Sequence, residues 1–345
     1  MMISSSDLIK LPYTPDLTRA GIDYACRSLP YTFDRMGGSS FDRMRRIAAG
    51  VAVEIAFRRL LTERGVPYDT QGTTPFTDPD HYDICLGGRR CDIKSFLIFK
   101  KDEIRKIRKD PGYLIDATAL VPLDQLEAGR MQASDLYIFA FVTALITRRR
   151  EEMEKALAAG QPVYIIHPLP GSWAQPKRWV SLGKLALKSE ASAPFSLEIG
   201  GQGQDRRFQH EQIAVSPLTR IEPRSIFYTL AYLHASHRPD GRLALRSSRS
   251  RQAYTITPDD WDNIWVYGME IFMAGYMTCG EYRRLAHRLP AGNRVLQYAR
   301  TRTANMALPL GELRPLDDLL NRVRDWSKRT TLRETNKRIS TADEH

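Results

Sequence analysis

With 345 residues, 42% of them apolar, the chain is long enough to bury one large core or two ordinary ones. No apolar run reaches the roughly 18 residues of a membrane span, and the N-terminus "MMISSSDLIKLPYTPD" lacks the basic-then-apolar layout of a secretory signal, so a cytoplasmic protein off the membrane is expected. A formal charge of +11, with 23 Lys and Arg against 16 Asp and Glu in residues 201–345, points to a polyanionic partner, and four cysteines without CxxC spacing argue against a zinc site or a disulfide framework.

Residues 1–39 read as an N-terminal arm. The first strong element is a helix from about Phe41 to Arg64, opened by Ser39 with Asp42 three residues on and stopped by Gly65 and Pro67. Its centre, "IAAGVAVEIAF", is apolar nearly all round and carries one charge, Glu54, so that carboxylate is expected to be buried and paired, protonated or bound to a metal. The stretch "VPYDTQG" follows as a short strand.

Next, "YDICLGGRRCDIKSFLIF" (Tyr82 to Phe99) reads as a hairpin turning on Gly87-Gly88. In that register cross-strand partners sum to 175, so Asp83 stands opposite Asp92, with Lys94 on the same face. Ile84, Leu86 and Ile93 then point to the other face, toward a core. Two carboxylates directly opposite each other are destabilising unless a cation compensates them. Magnesium, a hard cation served by one or two carboxylates, water and phosphate, suits such a face; Mn²⁺ is expected to substitute. Arg90 flanks Asp92 on this face, a cation placed to contact a polyanionic partner. His81 would fall opposite Lys94, at the rim. The alternative acid Asp80 lies beyond the pair and on the opposite face.

Beyond the hairpin, "KKDEIRKIRKD" (Lys100 to Asp110) is charged and exposed, with no clear element. "DLYIFAFVTAL" (Asp135 to Leu145) is a strand buried on both faces, "TRRREEMEKALAAG" (Thr147 to Gly160) a helix, and "PVYIIHPLP" (Pro162 to Pro170) another buried strand ending near His167, read as a satisfied strand-end histidine. Helix, three strands, charged connection, strand, helix, strand implies a mixed sheet flanked by helices.

This order, with Glu54 on the helix, Asp83 opening one strand and Asp92-Ile93-Lys94 on the next, resembles the PD-(D/E)xK nuclease superfamily, the restriction-endonuclease-like fold, over about residues 40–170. One departure is Tyr82 before Asp83 where the family pattern has proline. The resemblance implies a metal-dependent endonuclease acting on DNA, most commonly in prokaryotic restriction or antiphage defence. It implies that the Ile93 carbonyl joins Asp83 and Asp92 as a metal ligand, that Lys94 positions or activates the attacking water, and that Glu54 holds a metal-bound water or a second ion. A catalytically silent nucleic-acid-binding or assembly subunit of the same fold, and an RNA-directed nuclease, are the rival readings.

Residues 171–326 read as a basic extension for substrate or partner binding, first β-rich ("WVSLGKLAL", "FSLEIGG", "RRFQHEQIAV") and then helical from Pro223 onward. "GGQGQ" (Gly200 to Gln204) lacks the Lys-Ser/Thr of a phosphate loop and reads as a hairpin turn. Arg242, Arg246, Arg249 and Arg251 are interleaved with serines and no acid, a pattern suited to phosphate contacts. "DNIWVYGMEIFMAGYM" (Asp262 to Met277) reads as an apolar core or dimer-contact helix, so the partners expected are DNA and either a second copy or an accessory protein. The polar tail, 327–345, is expected to be disordered.

Overall fold

A computed structural model describes residues 3–28, 39–70, 82–146, 149–160, 164–264 and 266–326. The tail from 327 and the positions Asp80 and His81 lie outside the described residues, so the expectations placed on them do not meet the structure.

The N-terminal part is more than an arm. It forms β1 (Ile9–Leu11) and α1 (Pro15–Ser28), and α2 (Ser40–Glu63) then starts where the capping signal placed it, with the Ser39 side chain accepting from the Asp42 amide at 3.1 Å. After β2 (Tyr68–Asp69) come the hairpin strands β3 (Ile84–Leu86) and β4 (Arg89–Ile98). Gly87 and Gly88 both adopt positive φ, 55° and 74°, which a two-residue turn matched to strand twist requires and which glycine supplies without Cβ strain.

The charged connection is a helix, α3 (Lys101–Lys109), whose Ile104 and Ile107 are the buried pair on an otherwise charged cylinder. The elements that follow are β5 (Thr118–Pro122), α4 (Leu123–Glu127), β6 (Leu136–Ile146), α5 (Arg150–Ala158) and β7 (Ile165–Pro168). Then come α6 (Gly171–Ala174), β8 (Leu185–Ser189), β9 (Phe195–Gln202), β10 (Phe208–Val215), β11 (Arg220–Ile221), β12 (Thr229–Ala235), β13 (Leu243–Ser247), β14 (Tyr254–Ile256) and β15 (Asp262–Asn263). The described chain closes with β16 (Val266–Thr278), α7 (Cys279–Leu285), β17 (His287–Leu289), β18 (Asn305–Pro309) and a last helix over residues 316–326.

The expected helical segment after Pro223 is therefore mostly strand. Residues 262–263 and 266–277 belong to β15 and β16, and β16 is a central strand rather than a core helix. A continuous apolar run has no period to separate the two states; here the β-branched and aromatic residues Ile271, Phe272 and Tyr276 meet neighbours on both sides of a sheet. Gly275 marks the tight spot, because a Cβ there would come within 2.7 Å of the Arg314 carbonyl.

Four sheets result. The sheet that holds the hairpin has six strands in the order β1-β16-β6-β4-β3-β2, mixed in sense: β4 runs parallel to β6, and every other neighbour pair is antiparallel. The range 40–170 expected for the core thus differs from the sheet in two ways. Strands from residues 9–11 and 266–278 complete it, and β7 lies instead in a five-stranded sheet, β10-β9-β12-β7-β15. The remaining two are a four-stranded sheet, β11-β8-β13-β14, and a three-stranded one, β17-β18-β5. Among the described residues no helix is long and apolar enough to cross a membrane.

Two core clusters sandwich the six-stranded sheet. Ala52, Val53 and Phe57 of α2 pack on Ile84, Leu86, Cys91 and Leu97, while Phe96, Ile98, Tyr137 and Phe139 join α3, β5, α7 and β18 on the opposite side. Arg45 of α2, 1% exposed, ties this half to the five-stranded sheet by bonds to Asp42 (3.2 Å), Asp262 (2.8 Å) and the Asn263 carbonyl (2.6 Å). A buried guanidinium with that many partners fixes the docking of α2 against β15.

Candidate active site

The hairpin ladder pairs Ile84 with Cys91, Cys85 with Arg90 and Leu86 with Arg89, each pair summing to 175 as expected. One further bond, from the Asp83 amide to the Cys91 carbonyl at 3.1 Å, carries the ladder to the base of the hairpin. Continuing it by one residue sets Asp83 across from Asp92. Cys91 and the two apolar residues of β3 point into the α2-side core, so the acidic positions take the other face, as strand alternation demands.

The polar groups at this base are closely tied. The Asp83 carboxylate accepts from the Ile93 amide at 2.6 Å; Lys94 Nζ meets Asp92 Oδ2 at 2.6 Å. Lys94 also donates to Gln125 Oε1 at 2.7 Å and lies 5.8 Å from the centre of the Tyr137 ring. Its side chain is only 12% exposed, so the ammonium is held in one place by a carboxylate, an amide oxygen and an aromatic face. Burial pushes the Tyr137 hydroxyl well up and the neighbouring Cys279 thiol up to about 12, so both stay neutral and form an uncharged floor beneath the lysine.

From α2, Glu54 comes near Asp83. It is 29% exposed rather than fully buried, and it pairs loosely at 3.5 Å with Arg58, whose guanidinium also donates to the Asp83 carbonyl at 3.4 Å. Burial raises the Asp83 carboxyl well above the ordinary carboxylate range; the charges of Glu54 and Asp92 raise it further, against partial relief from the Ile93 amide and Lys94. A carboxyl destabilised by two like charges is one that a divalent cation would relieve.

Glu54 is thus brought from α2 to Asp83, which Asp92 and Lys94 of the hairpin also neighbour. Among the described residues no three or more His, Cys, Asp and Glu side chains stand together as a ready-made metal cage. Asp83 and Asp92 offer hard carboxylate oxygens, the donor type a magnesium-type ion takes one or two of before filling its shell with water and phosphate.

Arg90 lies two residues before Asp92 and is engaged by Asp135, with its guanidinium at 2.5 Å and its amide at 3.3 Å. Asp135 is 4% exposed and also accepts from the Gln132 amide at 2.6 Å, so it locks Arg90 at the start of β6. The other four expected phosphate contacts sit elsewhere, on β13 and its flanks, in the four-stranded sheet. Arg242 pairs with Glu190 at 2.7 Å, while Arg246, Arg249 and Arg251 are exposed. His167 is satisfied at both ring nitrogens, by the Asp260 carbonyl and the Tyr254 hydroxyl, each at 2.9 Å, in keeping with a strand-end histidine.

Sequence reasoning passed over two residues of the site. Asp135 could have been noticed as an acid at the mouth of a buried strand. Gln125, an uncharged residue on a five-residue helix, offered no signal, since only the tertiary fold brings α4 to Lys94. Removing it should loosen the lysine: Gln125→Ala is expected to slow turnover roughly tenfold with little change in stability, as read by single-turnover kinetics and thermal melting. No protein-family model matches the chain, and neither curated proteins nor solved structures yield a match.

Proposed function

We propose that the chain is a metal-dependent DNA endonuclease of the PD-(D/E)xK type, with Glu54, Asp83, Asp92 and Lys94 as its catalytic set. The observation that carries this reading is the arrangement at the hairpin base: two carboxylates facing across antiparallel strands, a lysine two residues along the same strand face, and a glutamate delivered from the preceding helix. When bound, a divalent cation would supply polarisation of the phosphate and a more acidic water. Asp83 and Asp92 would hold it, with the Ile93 carbonyl completing the protein side.

The protein's own groups divide the remaining work. Lys94, fixed by Asp92 and Gln125, presents its ammonium to the attacking water and to the negative charge that grows on the phosphate. Glu54, partly exposed and paired with Arg58, would hold a metal-bound water or a second ion. Tyr137 and Cys279 keep the floor uncharged, which strengthens the lysine's interaction with the phosphate. A role in restriction or antiphage defence belongs to the same reading.

The test is cleavage of supercoiled and linear DNA by the full chain. Strand scission with Mg²⁺ or Mn²⁺, abolished by excess EDTA, is the expected result; undiminished cleavage in EDTA would remove the metal mechanism. DNA binding without scission under any divalent ion would favour the silent binding subunit, and scission of RNA alone would favour the RNA-directed nuclease.

A further inference from the structure

Between Glu281 and Glu312 the chain runs for thirty residues, 282–311, without a single Asp or Glu, and in that interval it carries six arginines and His287. Neither the four arginines around β13 nor the catalytic set draws on this stretch. The fold gathers it onto one small unit: the end of α7, β17, β18 and the loop between the two strands, with β18 hydrogen-bonded to β5 from Asn305 opposite Pro122 to Pro309 opposite Thr118.

That unit is fastened to the wall of the candidate active site. The Leu123 amide at the start of α4 donates to the Ala304 carbonyl at 3.1 Å, two residues before the Gln125 that holds Lys94. Gln297 Nε2 donates to the Thr118 carbonyl at 2.6 Å, and the Tyr298 ring meets Phe96 edge-on, centres 6.2 Å apart. Phe96 is two residues beyond Lys94 on β4 and shares its face. At the other end, Tyr282 donates to the Ala119 and Met306 carbonyls, and Arg283 to the Met131 carbonyl at 2.9 Å.

With the aromatics and amides facing inward, the arginines are left outside. Arg284, Arg288, Arg294 and Arg300 are exposed and join no ion pair among the described residues. We propose that this basic surface, spanning the end of α7, β17 and the β17–β18 loop, is where the phosphate backbone of double-stranded DNA lies as it enters the catalytic face. The proposal rests on the nuclease reading for the direction the substrate must take. The arginines meet backbone rather than bases, since unpaired guanidinium groups spread over a turn-rich surface contribute charge without a fixed fork aimed at a groove. Duplex is favoured over single strand because single-strand binding uses exposed rings as stacking platforms, and the two aromatic residues of this stretch, Tyr282 and Tyr298, are both committed to packing.

The experiment measures binding of the full chain to a labelled DNA duplex in excess EDTA, so that affinity is read without cleavage. The variant R284A/R288A/R294A/R300A is expected to bind at least roughly tenfold more weakly at low salt, and its plot of log affinity against log salt should flatten by up to about 0.9 for each phosphate that is no longer neutralised. A second variant, R294E/R300E, alters only loop positions and should weaken binding in the same direction if the larger replacement harms folding. An unchanged salt slope in either folded variant overturns the proposal, as does tighter binding of the matching single strand than of the duplex. Arginine-dependent duplex binding in a protein that never cuts with Mg²⁺ or Mn²⁺ would keep this surface and discard the nuclease reading.

Discussion

Replacing Asp92 by asparagine is expected to slow DNA cleavage in Mg²⁺ on the order of a thousandfold, about 4 kcal/mol of transition-state stabilisation, while the protein stays folded. Asparagine keeps the size of the side chain and one acceptor oxygen but loses the charge, and that charge has two uses at once. It would bind the cation, and it anchors Lys94 at 2.6 Å. The fold tolerates the change because β4 is held by its parallel ladder to β6 and by Cys91, Phe96, Leu97 and Ile98, all of them buried. Single-turnover cleavage and a melting curve read the two halves of this statement separately. A fully active Asp92→Asn protein would move the chemistry to another part of the molecule.

Much of this site was legible because hairpin geometry is local. A Gly-Gly turn needing positive φ sets the register, the register sets which residues oppose, and alternation sets the face, so Asp83, Asp92 and Lys94 followed from one short stretch of sequence. The α2 boundaries followed from a cap and a glycine stop for the same reason. What escaped depends on contacts between distant segments. The run at 266–278 became a strand because β1 and β6 were there to pair with it, a fact no window of its own sequence contains. Gln125 reached Lys94 through the packing of β5 and β18, and Asp135 claimed Arg90 across forty-five positions. Glu54 was expected in a fully buried setting, yet its side chain is 29% exposed and pairs with Arg58 one turn along α2.

Asp83→Asn should produce two opposite changes: loss of cleavage comparable to that of Asp92→Asn, and a gain in the stability of the metal-free protein of roughly 1 kcal/mol. The gain comes from removing a charge that the folded protein disfavours. Burial raises the Asp83 carboxyl, Glu54 and Asp92 raise it further, and asparagine can still accept the Ile93 amide bond that the carboxylate now receives. Because the folded state holds this proton more tightly than the unfolded chain does, the destabilisation is fully present above the folded-state pKa of Asp83 and fades as pH falls through it toward the ordinary carboxylate value. The melting temperature of the wild type should therefore approach that of Asp83→Asn on acidification, and the gap should also narrow when Mg²⁺ is added, since bound cation stabilises only the protein that retains the ligand. Melting curves across pH, with and without Mg²⁺, read both effects. A wild-type protein already more stable than Asp83→Asn in EDTA at neutral pH would mean that Lys94 and the Ile93 amide outweigh the two neighbouring carboxylates, and the case for a cation between Asp83 and Asp92 would lose its electrostatic basis.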